Sequence, residues 1–199
     1  MLAAIGQKFA SYNGYLAEQS IDLYPTSGTT DDCAYGELGI AAVTVEVGPG
    51  DSSSCAGFMP PFSCLDADPS GTFWPRILPA FLYAARIARA PYRLGLGPNV
   101  ESLTASMSKP NEVQLHAQIS SSQAISTAEY YLDTPPWRGG IAHPLALDGS
   151  HQSASVRFAL VGRHMVYVRA QDANGNWGPA SALWVAALRA AQWLPLVGR

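Results

Sequence analysis

The chain has 199 residues, with 12 Lys and Arg against 15 Asp and Glu, a formal net charge of −3 at pH 7, and 48% hydrophobic against 14% charged residues. Such a chain buries roughly 70% of its unfolded surface, so disorder is excluded, and without a basic stripe it has no electrostatic footprint for DNA or RNA. No apolar run reaches the roughly 18 residues of a membrane span, because the longest, from Ala180 to Val197, holds Arg189, Gln192 and Pro195. Met1 opens no basic leader or apolar core, so no signal peptide is read there.

In chain order, Leu2, Ile5, Phe9 and Tyr12 recur at helical spacing and Asn13-Gly14 supplies a stop, which predicts a helix of about three turns. A loop rich in Thr, Ser, Gly and Asp follows from Tyr24 to Asp32. The β-branched run Ile40 to Val47, bounded by Gly39 and Gly48, predicts a strand of the kind that sits mid-sheet with both faces covered. A second helix is expected from about Arg76 to Ala90, with Pro75 and Pro79 in its opening, Arg86 and Arg89 in its closing turns and Pro91 as terminator. Helix, strand and helix together predict α/β architecture.

The composition changes near Pro91. Residues 1–93 carry five basic against nine acidic residues and all three cysteines, whereas residues 94–199 carry seven against six and all four histidines, His116, His143, His151 and His164. The Pro- and Gly-rich junction from Ala90 to Asn99 reads as a boundary, placed at about Leu94. Beyond it, alternating segments are expected near Glu101–Met107, Val113–Ile119, Ala128–Leu132, Val156–Leu160, His164–Ala170 and Ala182–Val185. Turn clusters such as Ser120-Ser121-Ser122-Gln123 and Asp148-Gly149-Ser150 separate them. That spacing predicts an immunoglobulin- or fibronectin-like β-sandwich.

Glu46 is a carboxylate near the end of an otherwise apolar strand, where α/β sheets place ligand crevices, and burial there would raise its pKa toward that of a general base. The strand by itself reads first as that of a glutamate at a partly exposed end. Tyr24 reads as a loop aromatic and Asp31-Asp32 as a solvated turn. No histidine pair has the helical spacing of a zinc motif, and strand-end or surface roles account for all four. Trp177, with Tyr130, Tyr131 and Trp137, suggests either a sugar- or peptide-binding face or the aromatic core and turns of a sandwich.

Taken together, the residues from Leu23 to Glu46 resemble the C-terminal third of a zinc metallocarboxypeptidase of the carboxypeptidase A/B type. They reproduce, without a gap, the family's loop tyrosine (Tyr24), Ser27-Gly28, an acidic pair (Asp31-Asp32), an aromatic-rich turn (Cys33-Ala34-Tyr35) and a strand ending in glutamate (Thr44-Val45-Glu46). The stretch Gly57-Phe58-Met59-Pro60-Pro61 and the Trp74-Pro75 helix to Tyr92 extend the likeness over residues 1–93.

The resemblance implies that Glu46 is the catalytic general base and acid and that Tyr24 closes over the substrate's terminal carboxylate. It implies that Asp31 floors the specificity pocket and favours a basic C-terminal residue, with Asp32 and Tyr35 in the pocket wall. It further implies substrates that are peptide or protein C-termini, secretion, and a Cys55–Cys64 disulfide that leaves Cys33 free. A catalytic zinc needs three fixed protein ligands and an open position. Residues 1–93 contain no histidine, so zinc is expected only in a complete enzyme with a further N-terminal portion, and this chain alone is expected to hold none and to be inactive. Cys33 stands where the family has Trp, and truncating a buried Trp costs about 3–5 kcal/mol, which implies a loosened pocket wall. The competing reading is a non-catalytic binding or adhesion module that works through the sandwich. The Val168–Pro179 stretch resembles the final hairpin of immunoglobulin-like domains appended to secreted bacterial hydrolases.

Overall fold

The computed structural model describes residues 1–49, 54–67, 73–109 and 111–187. It divides into two compact units, Met1–Leu96 and Gly97–Arg199. No helix among the described residues is long and apolar enough to cross a membrane. The later part of the Ala180–Val197 run, from Leu188, lies outside them.

The first unit is helical. Helix α1 (Leu2–Asn13) ends on Gly14, whose φ of 69° lets its N–H reach Ala10 O at 2.7 Å. Helix α2 (Trp74–Ile87) starts with Pro75 in its first turn, where a missing N–H costs nothing, and carries Pro79 inside it. It stops at Ile87, short of Ala90, and Pro91 does not merely terminate it but opens a further turn, Pro91–Leu94. The amphipathic faces of α1 and α2 bury Ile5 and Phe9 against Ala80, Tyr83 and Ile87, with Phe9 and Tyr83 edge to face at 5.8 Å. Short turns occupy Ser20–Leu23, Thr30–Asp32, Cys33–Glu37 and Phe62–Ala67. Cys55 and Cys64 form a disulfide, Cα–Cα 5.8 Å, and Cys33 is free and exposed.

The α/β expectation fails in this unit: its described residues contain no strand, and Ile40–Val47 joins no sheet. The reason is physical. A strand exists through its ladder, and no backbone group from Ala41 to Val47 finds a backbone partner among the described residues. The run is held instead from its sides, by Ala41 packed on the helical core and by the Gly48 N–H donated to the Tyr15 hydroxyl at 3.1 Å.

The second unit is a seven-stranded antiparallel β-sandwich in the order β1-β2-β5-β4-β3-β6-β7. Its strands are β1 (Asn99–Lys109), β2 (Glu112–Ser120), β3 (Ile125–Leu132), β4 (His143–Leu147), β5 (Ser153–Ala159), β6 (Gly162–Asp172) and β7 (Ser181–Ala187). Strand β4, which periodicity does not predict, pairs first with β3 (Ala128 opposite Leu145) and then with β5 (Ala146 opposite Ser155), so it carries the chain from one layer to the other. Alternation drives the layering. Val113, Leu115, Ala117 and Ile119 of β2 face Val166, Val168 and Ala170 of β6 across the core, all at most 4% exposed. The Ser181 hydroxyl donates to Val100 O at 2.9 Å, tying β7 to β1. Gly178 has a steric requirement: a Cβ there would stand 1.6 Å from Pro98 O.

Candidate functional site

Of the residues the carboxypeptidase resemblance points to, the structure gathers some and leaves others apart. Asp31 accepts a hydrogen bond from the Ser20 hydroxyl at 2.9 Å. The Thr29 hydroxyl first, then Ser20, its own backbone N–H and the Thr44 hydroxyl hold its carboxyl below the ordinary value, so Asp31 and the Ile40–Val47 run share one neighbourhood. Asp32 caps its own turn: its N–H reaches Thr29 Oγ1 and its carboxylate takes the Thr29 N–H, both at 3.3 Å. Tyr24, Tyr35 and Glu46 are exposed, and no hydrogen bond among the described residues links any of them to another site residue. The buried Trp position implied for Cys33 is not buried here, so the cavity cost attached to it does not arise.

The aromatic cluster resolves into two faces. Tyr130 points into the core, between His143 (5.0 Å) and Phe158 (4.9 Å). Tyr131 lies on the outer face and is only 2% exposed. Its hydroxyl donates to Glu129 and accepts from Arg169 Nη2 at 2.8 Å, and burial first, then Glu129, push its pKa up to about 12. Arg169 also pairs with Glu129 at 2.6 Å and lies 4.1 Å over the Trp177 ring. Glu129, Tyr131 and Arg169 are each partnered within the cluster, which fastens the sheet. On the same outer face, Trp137 meets Tyr167 at 6.0 Å and Trp184, which the sequence reading passed over, carries Arg163 at 4.4 Å.

The histidines stay scattered. His164 Nδ1 meets Asp133 at 2.7 Å, a contact that raises the imidazole pKa and lowers the carboxyl's, while His143 stacks on Tyr130. Among the described residues no three His, Cys, Asp or Glu side chains gather to hold a metal ion.

A groove of about 510 Å³ opens at one end of the sandwich, between the β2–β3 turn (residues 121–124) and the β4–β5 turn (residues 148–152). The β4–β5 wall is locked from within. Asp148 accepts the Gln152 and Ser153 N–H groups at 3.2 and 3.3 Å and the Ser150 and Ser153 hydroxyls at 2.9 and 2.8 Å. Those bonds, Ser153 foremost, take its pKa down to about 2. Two bonds tie the β4–β5 turn to the strands that flank the other: Ile119 N–H of β2 to Gln152 O at 2.8 Å, and His151 Nδ1 to Ile125 O of β3 at 3.1 Å. A carbonyl only accepts, so Nδ1 carries the hydrogen and Nε2 of the neutral ring is left as an acceptor. His151 adopts φ 56°, the left-handed conformation this tight turn demands. In the sequence Ser121 to Gln123 and Asp148 to Ser150 are turn punctuation, and no local pattern joins two turns some 25 residues apart.

No family model and no curated protein matches the chain. Among solved structures, the chain is similar to a myokine at 14% identity and a TM-score of 0.35, covering 47% of this chain and 97% of that one. It is similar to fibronectin(III)-like modules of Clostridium thermocellum CbhA at 15% identity and 0.31, covering 45% and 100%. A family 56 carbohydrate-binding module, a β-1,3-glucan binding domain, matches at 8% identity and 0.29, covering 41% and 95%.

Proposed function

We propose that this chain is a non-catalytic binding module that works through its β-sandwich, with the groove between residues 121–124 and 148–152 as the binding site. One observation carries the reading: the 148–152 wall is fixed by its own hydrogen bonds and tied to both strands that flank the facing turn, so a ligand meets a formed site and does not have to order it. Amide resonances of the full chain, followed while small saccharides and capped peptides are added, test it. Shifts confined to residues 119–125 and 149–153 support the module, and unmoved resonances with every probe reject it.

A second reading concerns residues 1–93, as the C-terminal part of a zinc metallocarboxypeptidase domain. The ungapped match from Tyr24 to Glu46 supports it. So does the exposure of Ile40, Val43 and Val47, apolar side chains on a run built to lie between neighbouring strands. In that reading Glu46 is the general base, Tyr24 and Asp31 recognise the C-terminal residue, Asp32 and Tyr35 support the pocket, and the remaining strands come from an N-terminal portion. The enzyme would be extracellular, an oxidising setting with which the Cys55–Cys64 disulfide agrees. Zinc does not fit the residues present: residues 1–93 lack histidine and no ligand group forms among the described residues, so no catalytic step is assigned to this chain. Zinc titration and peptide trimming test this: the chain alone is expected to show neither, and stoichiometric zinc binding tighter than micromolar would contradict it.

A further inference from the structure

We infer that the groove takes an uncharged, polyhydroxylated ring, that is, one or two sugar residues, an inference that rests on the binding-module reading above. The lining residues select the ligand class. No Asp, Glu, Lys or Arg is among the lining residues. An anionic ligand entering would give up hydration beside the carboxylates bonded to the lining, Asp148 on Ser150 and Glu101 on Ser120, and that cost selects against phosphates, acidic sugars and peptide carboxylates.

The lining has two parts. Ser121, Gln123, His151 and Gln152 stand exposed along the groove, and Ile119 and Ile125, 4% and 5% exposed, close its floor from the core side. The Gln123 and Gln152 side-chain amides enter no hydrogen bond with other described residues, and each offers donors and an acceptor. His151 presents Nε2 as an acceptor, because Nδ1 is committed to Ile125 O.

A pyranose ring has matching parts. Its equatorial hydroxyls each donate and accept, as amides and hydroxyls require of a partner. A purely apolar ligand would cover Gln123 and Gln152 without replacing their water, leaving polar groups unsatisfied. The volume of about 510 Å³ lies within the range of roughly 300–1,000 Å³ usual for small-molecule sites. Preorganisation matters too: Asp148 keeps its turn closed, so the ligand does not spend binding energy on ordering it.

The experiment records amide spectra of the ¹⁵N-labelled full chain with cellobiose, laminaribiose, N,N′-diacetylchitobiose, and acetyl-trialanine-amide as the non-sugar probe. The expected result is saturable shifts at residues 119–125 and 149–153 with at least one disaccharide, at a Kd on the order of 1 mM. In the Gln123→Ala/Gln152→Ala double variant the affinity falls about tenfold or more, with the rest of the spectrum unchanged. These two side chains bond nothing described in the fold, so the variant keeps its structure, and His151→Asn, which tolerates the left-handed backbone, provides an independent second variant. Sugar-induced shifts elsewhere, or undiminished sugar affinity in both variants, overturn the assignment. Groove shifts with the peptide alone overturn the sugar class while leaving a binding groove standing. Silence with all four probes overturns both.

Discussion

Replacing Asp172 by alanine is expected to be among the most damaging single changes in the sandwich. The side chain is 1% exposed at the end of β6 and organises the turn into β7, accepting the Asn174 and Asn176 N–H groups at 3.0 and 2.8 Å and the Asn176 amide at 3.0 Å. Burial by itself would raise its pKa, but the Asn176 side chain and the two N–H donors outweigh that and hold it below 3.8. Hydrogen bonds to an ionised acceptor are worth about 1.5–3 kcal/mol each, and water reaching the exposed turn returns part of that, so the net loss is about 2–4 kcal/mol. For a domain of this size that lowers Tm by roughly 10–25 °C. Asp172→Asn keeps one acceptor and is expected to lose about half as much. The sign in pH follows from the lowered pKa: the carboxylate's contribution is fully present above the unfolded value and lost as pH falls through the folded one. Thermal and urea unfolding of the full chain, at about pH 7 and again below about pH 4, reads both effects. Equal midpoints for wild type and Asp172→Ala at neutral pH, or a difference that grows on acidification, would refute the reasoning.

Leu115→Ala removes a fully buried side chain from the middle of β2 and is expected to cost about 2–5 kcal/mol by urea denaturation, with the β3–β6–β7 outer face undisturbed. His164 is raised by Asp133, so the pair stabilises below the unfolded imidazole value of 6.5 and the contribution fades as pH rises through the folded pKa. Asp133→Asn is expected to bring the His164 Cε1–H titration down toward 6.5, and an unmoved midpoint would count against the contact. Thiol titration in denaturant is expected to find one free cysteine, Cys33, and a count of three in protein from an oxidising compartment would contradict the Cys55–Cys64 bond.

How much was legible depended on whether the signal was local. The alternation Val113, Leu115, Ala117, Ile119 declares a half-buried strand within seven residues, and such runs predicted six of the seven sandwich strands. Strand β4 escaped because His143-Pro144-Leu145-Ala146-Leu147 is short, contains a proline and changes partner midway. The run from Ile40 to Val47 shows the opposite failure. Its residues specify a central strand, but a strand is a relation between segments, and its described neighbours supply no ladder. The groove was invisible for the same reason: Gln123 and His151 are turn residues locally, and only the pairing of β2 with β5 brings their turns together.

The most direct test of the account compares disaccharide affinity in the full chain with that in residues 97–199 and residues 1–96 produced separately. Residues 97–199 are expected to fold cooperatively and bind with the same Kd as the full chain, with their amide shifts in the groove, and residues 1–96 to bind nothing. Binding that disappears from residues 97–199, or that follows residues 1–96, would contradict it.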